Sequence, residues 1–142
     1  LNEDGEIDRH RLGQLVFGSA QALAWLNSAI HPIIRDRISA KLKQLETLGC
    51  KVAVVDAAVL VQAGWDDLTN EVWLVKAPAD HAAQRVSDQR GMQTWEVMGR
   101  IAAQEQMVIE AEAKAGVIID NAGSADELVA NVERLWKDRN LP

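Results

Sequence analysis

Three short runs rich in β-branched residues, Val52-Ala-Val-Val55, Val72-Trp-Leu-Val75 and Val117-Ile-Ile119, are set apart by long stretches of helical periodicity. Continuous apolar runs of this length read as strands covered on both faces, as in a parallel sheet. Strands joined through helices predict an α/β domain, because parallel neighbours need a crossover connection. The first run ends in Asp56, and ligands of open α/β sheets bind just beyond the carboxyl ends of strands. A carboxylate there suits a magnesium–phosphate group, since Mg²⁺ takes hard oxygen ligands and usually only one or two protein carboxylates. The bland reading is an Asp that caps the turn after the strand.

The helices follow from spacing and punctuation. Leu12, Leu15 and Val16 predict a short amphipathic helix after Asp8-Arg9, and Ser19 is the expected N-cap of a second helix bearing Ala22, Leu23, Leu26 and Ile30. That helix is expected to stop near His31-Pro32, since the residue before proline is pushed out of helical geometry. Ile34, Ile38, Leu42, Leu45 and Leu48 predict another helix, with Gly49 as its stop. Past Ala77-Pro78, Asp80 is expected to cap a helix to about Arg90, broken by Gly91, and a long helix is expected from roughly Thr94 to Lys114. Ser124 and Glu127 have capping-box spacing for a last helix carrying Leu128, Val129, Val132, Leu135 and Trp136.

At 142 residues the chain fits one domain with a sizeable core, and no repeat, low-complexity tract or linker interrupts it. A net charge of −6 argues against a nucleic-acid partner. The cluster Arg35, Arg37, Lys41 and Lys43 reads as a solvated helix face or as a greeting for a phosphorylated ligand. No apolar run approaches a membrane span, and with the polar start Leu1-Asn-Glu-Asp-Gly5 no signal peptide is expected. Cys50 stands alone, which excludes an internal disulfide, points to a reducing, cytoplasmic setting and reads as a buried structural thiol. Trp65, Trp73, Trp95 and Trp136 read as core anchors, and Trp25 as a residue that can meet a ligand.

The order of motifs resembles the dephospho-coenzyme A kinase family from end to end. The resemblance is carried by Asp8-Arg9 with Leu12 and Val16-Phe17, by His31-Pro32 with Arg35, and by Asp56 with Leu60. It continues through Arg85 and Arg90, Arg100 with Gln104, and Asn121-Ala-Gly123-Ser124. The run Asp56-Ala-Ala-Val-Leu60-Val-Gln-Ala-Gly64-Trp65 looks most like the kinase domain of bifunctional coenzyme A synthases, which would allow a mitochondrial association. The resemblance implies a P-loop-kinase-like parallel sheet flanked by helices. It implies a helical substrate-side segment over 1–49 and an α/β core over 50–142, with a lid at about 80–105. It implies ATP and Mg²⁺, dephospho-coenzyme A as acceptor, and transfer of the γ-phosphate to its ribose 3′-hydroxyl. Asp56 would order the metal or the reacting hydroxyl, and Arg85 and Arg100 would face the transferring phosphate. Arg9, His31 and Arg35 would bind substrate, and Asn121 and Gly123 would hold the adenine end of ATP.

One family element is absent from these residues. No Gly-x-x-x-x-Gly-Lys-Ser/Thr occurs among them, and that loop supplies the backbone amides and lysine that cradle the β- and γ-phosphates. The expectation is a kinase domain without its first strands, inactive alone, whose sheet is completed by a missing N-terminal segment or by oligomerisation. In the family the phosphate-loop strand lies between the strands matching Val52–Val55 and Val117–Ile119. The lid also departs from the family's Arg-x-x-x-Arg-Asp: Arg85 is followed by Gln89 and then Arg90, a shift of about 100° around a helix. Gln62 stands where the family has a glutamate. The alternative function is a non-catalytic or partner-binding fragment of a P-loop kinase.

Overall fold

A computed structural model of the chain describes residues 4–90 and 94–142. It divides into two compact units, Leu1–Cys50 and Lys51–Pro142.

The first unit is helical. Asp8 caps α1 (Arg9–Phe17) by accepting the Arg11 N–H at 2.9 Å, and Ser19 caps α2 (Ala20–Thr47) by accepting the Ala22 N–H at 3.3 Å. The two helices pack on each other, with Val16 buried. The expected stop at His31-Pro32 does not occur: α2 runs unbroken through Pro32. Proline there deletes one i→i−4 hydrogen bond and crowds the preceding turn. However, the apolar series Leu26, Ile30, Ile34 and Ile38 continues at four-residue spacing across it, so a single helix keeps one face together. Gly49 ends α2 at φ +77°. Its N–H reaches Glu46 O and the Cys50 N–H reaches Leu45 O, which is the paired closure that a left-handed glycine permits. Cys50 is exposed. The expectation of a buried thiol fails because this residue leaves the helix cap toward solvent and does not enter a strand.

The second unit holds the sheet. β1 (Trp73–Lys76) and β2 (Val117–Asp120) pair in parallel, Trp73 opposite Val117 and Lys76 opposite Asp120. The Asn121 N–H extends this ladder to Lys76 O at 2.7 Å. Val52–Asp56 has strand composition but joins no sheet among the described residues. A strand is defined by the neighbour that takes its N–H and C=O groups, and no such neighbour for this run is described. Val54 is accordingly 79% exposed.

Between the strands lie α3 (Ala79–Arg90), α4 (Thr94–Ala103) and α5 (Glu105–Lys114). The predicted long helix is two helices, because the Gln104 N–H bonds Ile101 O, a tightened three-residue turn that breaks the α-helical ladder. The break expected at Gly91 lies outside the described residues. The final helix, α6 (Ala125–Asp138), opens on the expected capping box: Ser124 Oγ accepts the Glu127 N–H at 3.2 Å, and Glu127 Oε2 accepts the Ser124 N–H at 2.7 Å. Buried in this unit are Trp65, Ala83, Val97, Val117 and Ile119. Arg139 lies 5.2 Å from the centre of the Trp73 ring, which meets Trp136 edge-on.

Candidate functional site

Because β1 and β2 are parallel, their carboxyl ends share one edge, where β1 hands over to α3 and β2 to the loop 121–124. Three consecutive carbonyls of that loop are taken by α3. Arg85 Nη2 donates to Asn121 O at 3.2 Å and to Gly123 O at 3.3 Å. His81 Nδ1 is 3.0 Å from Ala122 O. His81 and Arg85 are four residues apart and so lie on one helix face. Asp120 tightens the same turn by accepting the Ala122 N–H at 3.0 Å. A side chain on Gly123 would run into the Glu127 carboxylate, so the capping box needs glycine there. That carboxyl titrates below the usual glutamate range because the Ser124 backbone N–H and hydroxyl both donate to it.

The segment after Asp56 is a series of tight turns. Ala63 N–H bonds Val59 O at 2.9 Å, Trp65 N–H bonds Leu60 O at 2.9 Å, and Gly64 sits at φ +68°. Trp65, 3% exposed, pins this turn to the core. Gln62 Nε2 donates to Met107 O of α5 at 2.9 Å. Gln62 therefore acts as an amide donor, which the glutamate of the family pattern could not do in ionised form. Asp56 itself is exposed at the head of this turn.

Among the described residues no three His, Cys, Asp or Glu side chains gather into a metal-holding group. A lone exposed carboxylate such as Asp56 fits Mg²⁺ that arrives with nucleotide phosphates and keeps its waters, which is this ion's usual habit. It does not fit an ion caged by protein.

In the helical unit, His31 and Arg35 are half-buried and four residues apart on α2, so they share a face. Arg9 stands exposed at the first turn of α1, and Trp25 is 71% exposed. In the second unit the structure brings Arg85 together with Asn121 and Gly123. Arg100 lies on α4, but its side chain, like those of Arg90 and Trp95, is outside the described residues. Sequence reasoning passed over His81. Its four-residue offset from Arg85, just after a strand-ending Ala77-Pro78, was the available signal.

At the opposite edge of the sheet, Glu71 receives Arg139 Nε at 2.7 Å and Nη2 at 2.9 Å, and Trp73 Nε1 at 2.7 Å. The Arg139 bond, then the Trp73 bond, hold the Glu71 carboxyl below its ordinary range, and Arg139 is raised in turn by Glu71. This cluster ties the end of α6 to the start of β1.

A small parallel sheet with helices, and polar groups converging at its carboxyl edge, is the frame of a P-loop-kinase-like α/β protein. Two solved structures share the fold. A dephospho-CoA kinase from Campylobacter jejuni matches with a TM-score of 0.65 at 22% identity, over 97% of this chain and 68% of that one. The Thermus thermophilus protein TT1252 matches with a TM-score of 0.68 at 25% identity, over 94% and 68%. The family model for dephospho-CoA kinase matches residues 1–127. The dephospho-CoA kinase of Dehalococcoides mccartyi is 37% identical over 140 residues, covering 98% of this chain and 70% of its own length. That of Geobacter sulfurreducens is 38% identical over 139 residues, with the same coverage. The chain belongs to the dephospho-CoA kinase family.

Proposed function

We propose that this chain supplies the acceptor side, the lid and the base loop of an enzyme that transfers the γ-phosphate of ATP to the ribose 3′-hydroxyl of dephospho-coenzyme A. The observation that carries this reading is the join between Arg85 of α3 and the Asn121–Gly123 loop at the carboxyl edge of the sheet, in a chain of this family. A bond forms from the ribose oxygen to the γ-phosphorus, the bond to the ADP oxygen breaks, and the hydroxyl proton is released. Such a reaction asks the protein mainly for alignment and for positive charge where charge spreads over the transferring group. Asp56 holds the acceptor hydroxyl in line, and Mg²⁺, when bound beside it, supplies charge neutralisation on the phosphates. Arg100 and Arg85 bring guanidinium groups to the phosphate side, where planar donors match phosphate oxygens. Arg9, His31 and Arg35 take the acceptor, and the Asn121 amide both donates to and accepts from an adenine edge.

A second reading, a non-catalytic fragment, is favoured by one feature: these 142 residues contain no phosphate-loop motif. Both readings agree that the 142-residue polypeptide alone turns over at background. The deciding experiment incubates the natural full-length polypeptide with Mg·ATP and dephospho-coenzyme A and identifies the product by phosphorus NMR. The expected product is coenzyme A, with one ADP per phosphate transferred. Absence of ADP release, or phosphate on another hydroxyl, would refute the enzyme reading.

A further inference from the structure

The loop after β2 has its backbone almost fully committed. The carbonyls of residues 121, 122 and 123 face α3, the Asn121 N–H goes to β1, and the Ala122 and Ser124 N–H groups go to Asp120 and Glu127. Arg85 bridges the outer two carbonyls, and among the described residues only His81 reaches the middle one. A carbonyl oxygen can only accept, so the imidazole must carry its proton on Nδ1 to make this bond. With the backbone spoken for, the Asn121 side-chain amide makes no hydrogen bond among the described residues and remains available to a ligand.

We propose that His81 is a positioning residue for nucleotide binding: with Arg85, one helical turn on, it fixes the three carbonyls of loop 121–123 so that the loop presents the Asn121 amide to a purine base. This rests on the reading above that the loop meets the base of ATP. It also joins α3, which opens the expected lid, to the base loop, so a shift of α3 is carried into the nucleotide site.

The test uses the natural full-length polypeptide and two variants, His81→Ala and His81→Asn. The asparagine amide nitrogen can stand close to where Nδ1 stands, so it restores the donor without the ring. ATP affinity is measured by calorimetry, amide exchange of residues 122 and 123 by NMR, and the ring tautomer by long-range nitrogen–proton correlation. The expected results are a proton on Nδ1 of His81, and in His81→Ala faster loop exchange with ATP affinity weakened about fivefold, the scale of one lost hydrogen bond. His81→Asn should recover most of both. Unchanged loop exchange or affinity in His81→Ala, or an His81→Asn variant no better than His81→Ala, would overturn the proposal. Intact ATP binding without phosphoryl transfer would instead count against the proposed reaction alone, and leaves this test fully readable.

Discussion

At the scale of single residues, the two arginines proposed to face the phosphate and one carboxylate make separable predictions. Arg100→Ala and Arg85→Ala, in a polypeptide that carries the phosphate loop, should lower kcat about tenfold or more while the acceptor KM moves much less, because charge is redistributed only in the transition state. Steady-state kinetics with dephospho-coenzyme A as the varied substrate decides this; a raised KM at constant kcat would place the arginines on the acceptor. Glu71 gives a pH prediction. Its carboxyl is lowered in the folded protein by Arg139 and Trp73, so its stabilising contribution is present above the unfolded glutamate pKa and is lost as pH falls through the lower folded value. Denaturation followed from about pH 6 down to pH 3, spanning the carboxylate range, should therefore show a shallower loss of stability in Glu71→Gln than in the parent. Residue chemistry was partly legible in the sequence: Ser124 and Glu127 announced their reciprocal cap, and Arg85 stood out as a cation. His81 and the Glu71–Arg139 pair were not legible, because each depends on partners about 40 to 70 positions away that only the parallel pairing of β1 and β2 brings near.

At the scale of elements, apolar spacing placed the helices well and misjudged their ends. Pro32 is a stop signal by local rules, yet α2 continues through it because the same apolar face lies on both sides. Gln104 carries no breaking signal, yet it divides the long helix expected from roughly Thr94 to Lys114 through one tightened turn. Val52–Val55 has the composition of a strand, but composition cannot supply the neighbour that makes it one. The loop between β2 and α6 is the element with the clearest test. Ser124→Ala removes the side-chain acceptor of the Glu127 N–H, and loss of such a cap costs about 1 kcal/mol. Thermal unfolding should show that loss, with α6 fraying first by amide exchange. A variant as stable as the parent would mean that α6 is held by the Trp73, Trp136 and Arg139 cluster and not by its cap.

At the scale of the whole molecule, the second unit has a two-stranded sheet with both outer edges unpaired among the described residues. Val75 and Ile118, on opposite faces of it, are 54% and 52% exposed. A two-stranded sheet is a marginal structure, and open edges with apolar faces invite further pairing. The 142-residue polypeptide should therefore unfold at low denaturant or sediment as more than a monomer, whereas a stable, sharply cooperative monomer would show that two strands suffice. If these residues hold the acceptor, lid and base-loop parts of a kinase without its phosphate cradle, one rate should show it: coenzyme A formation from Mg·ATP and dephospho-coenzyme A. That rate is measured side by side for the 142-residue polypeptide and for the same residues preceded by a phosphate-loop strand and helix of the family. Background turnover is expected for the first and turnover of about 1 per second or more, the usual kinase range, for the second. Comparable turnover by the 142-residue polypeptide alone, or none by the longer one, would contradict it.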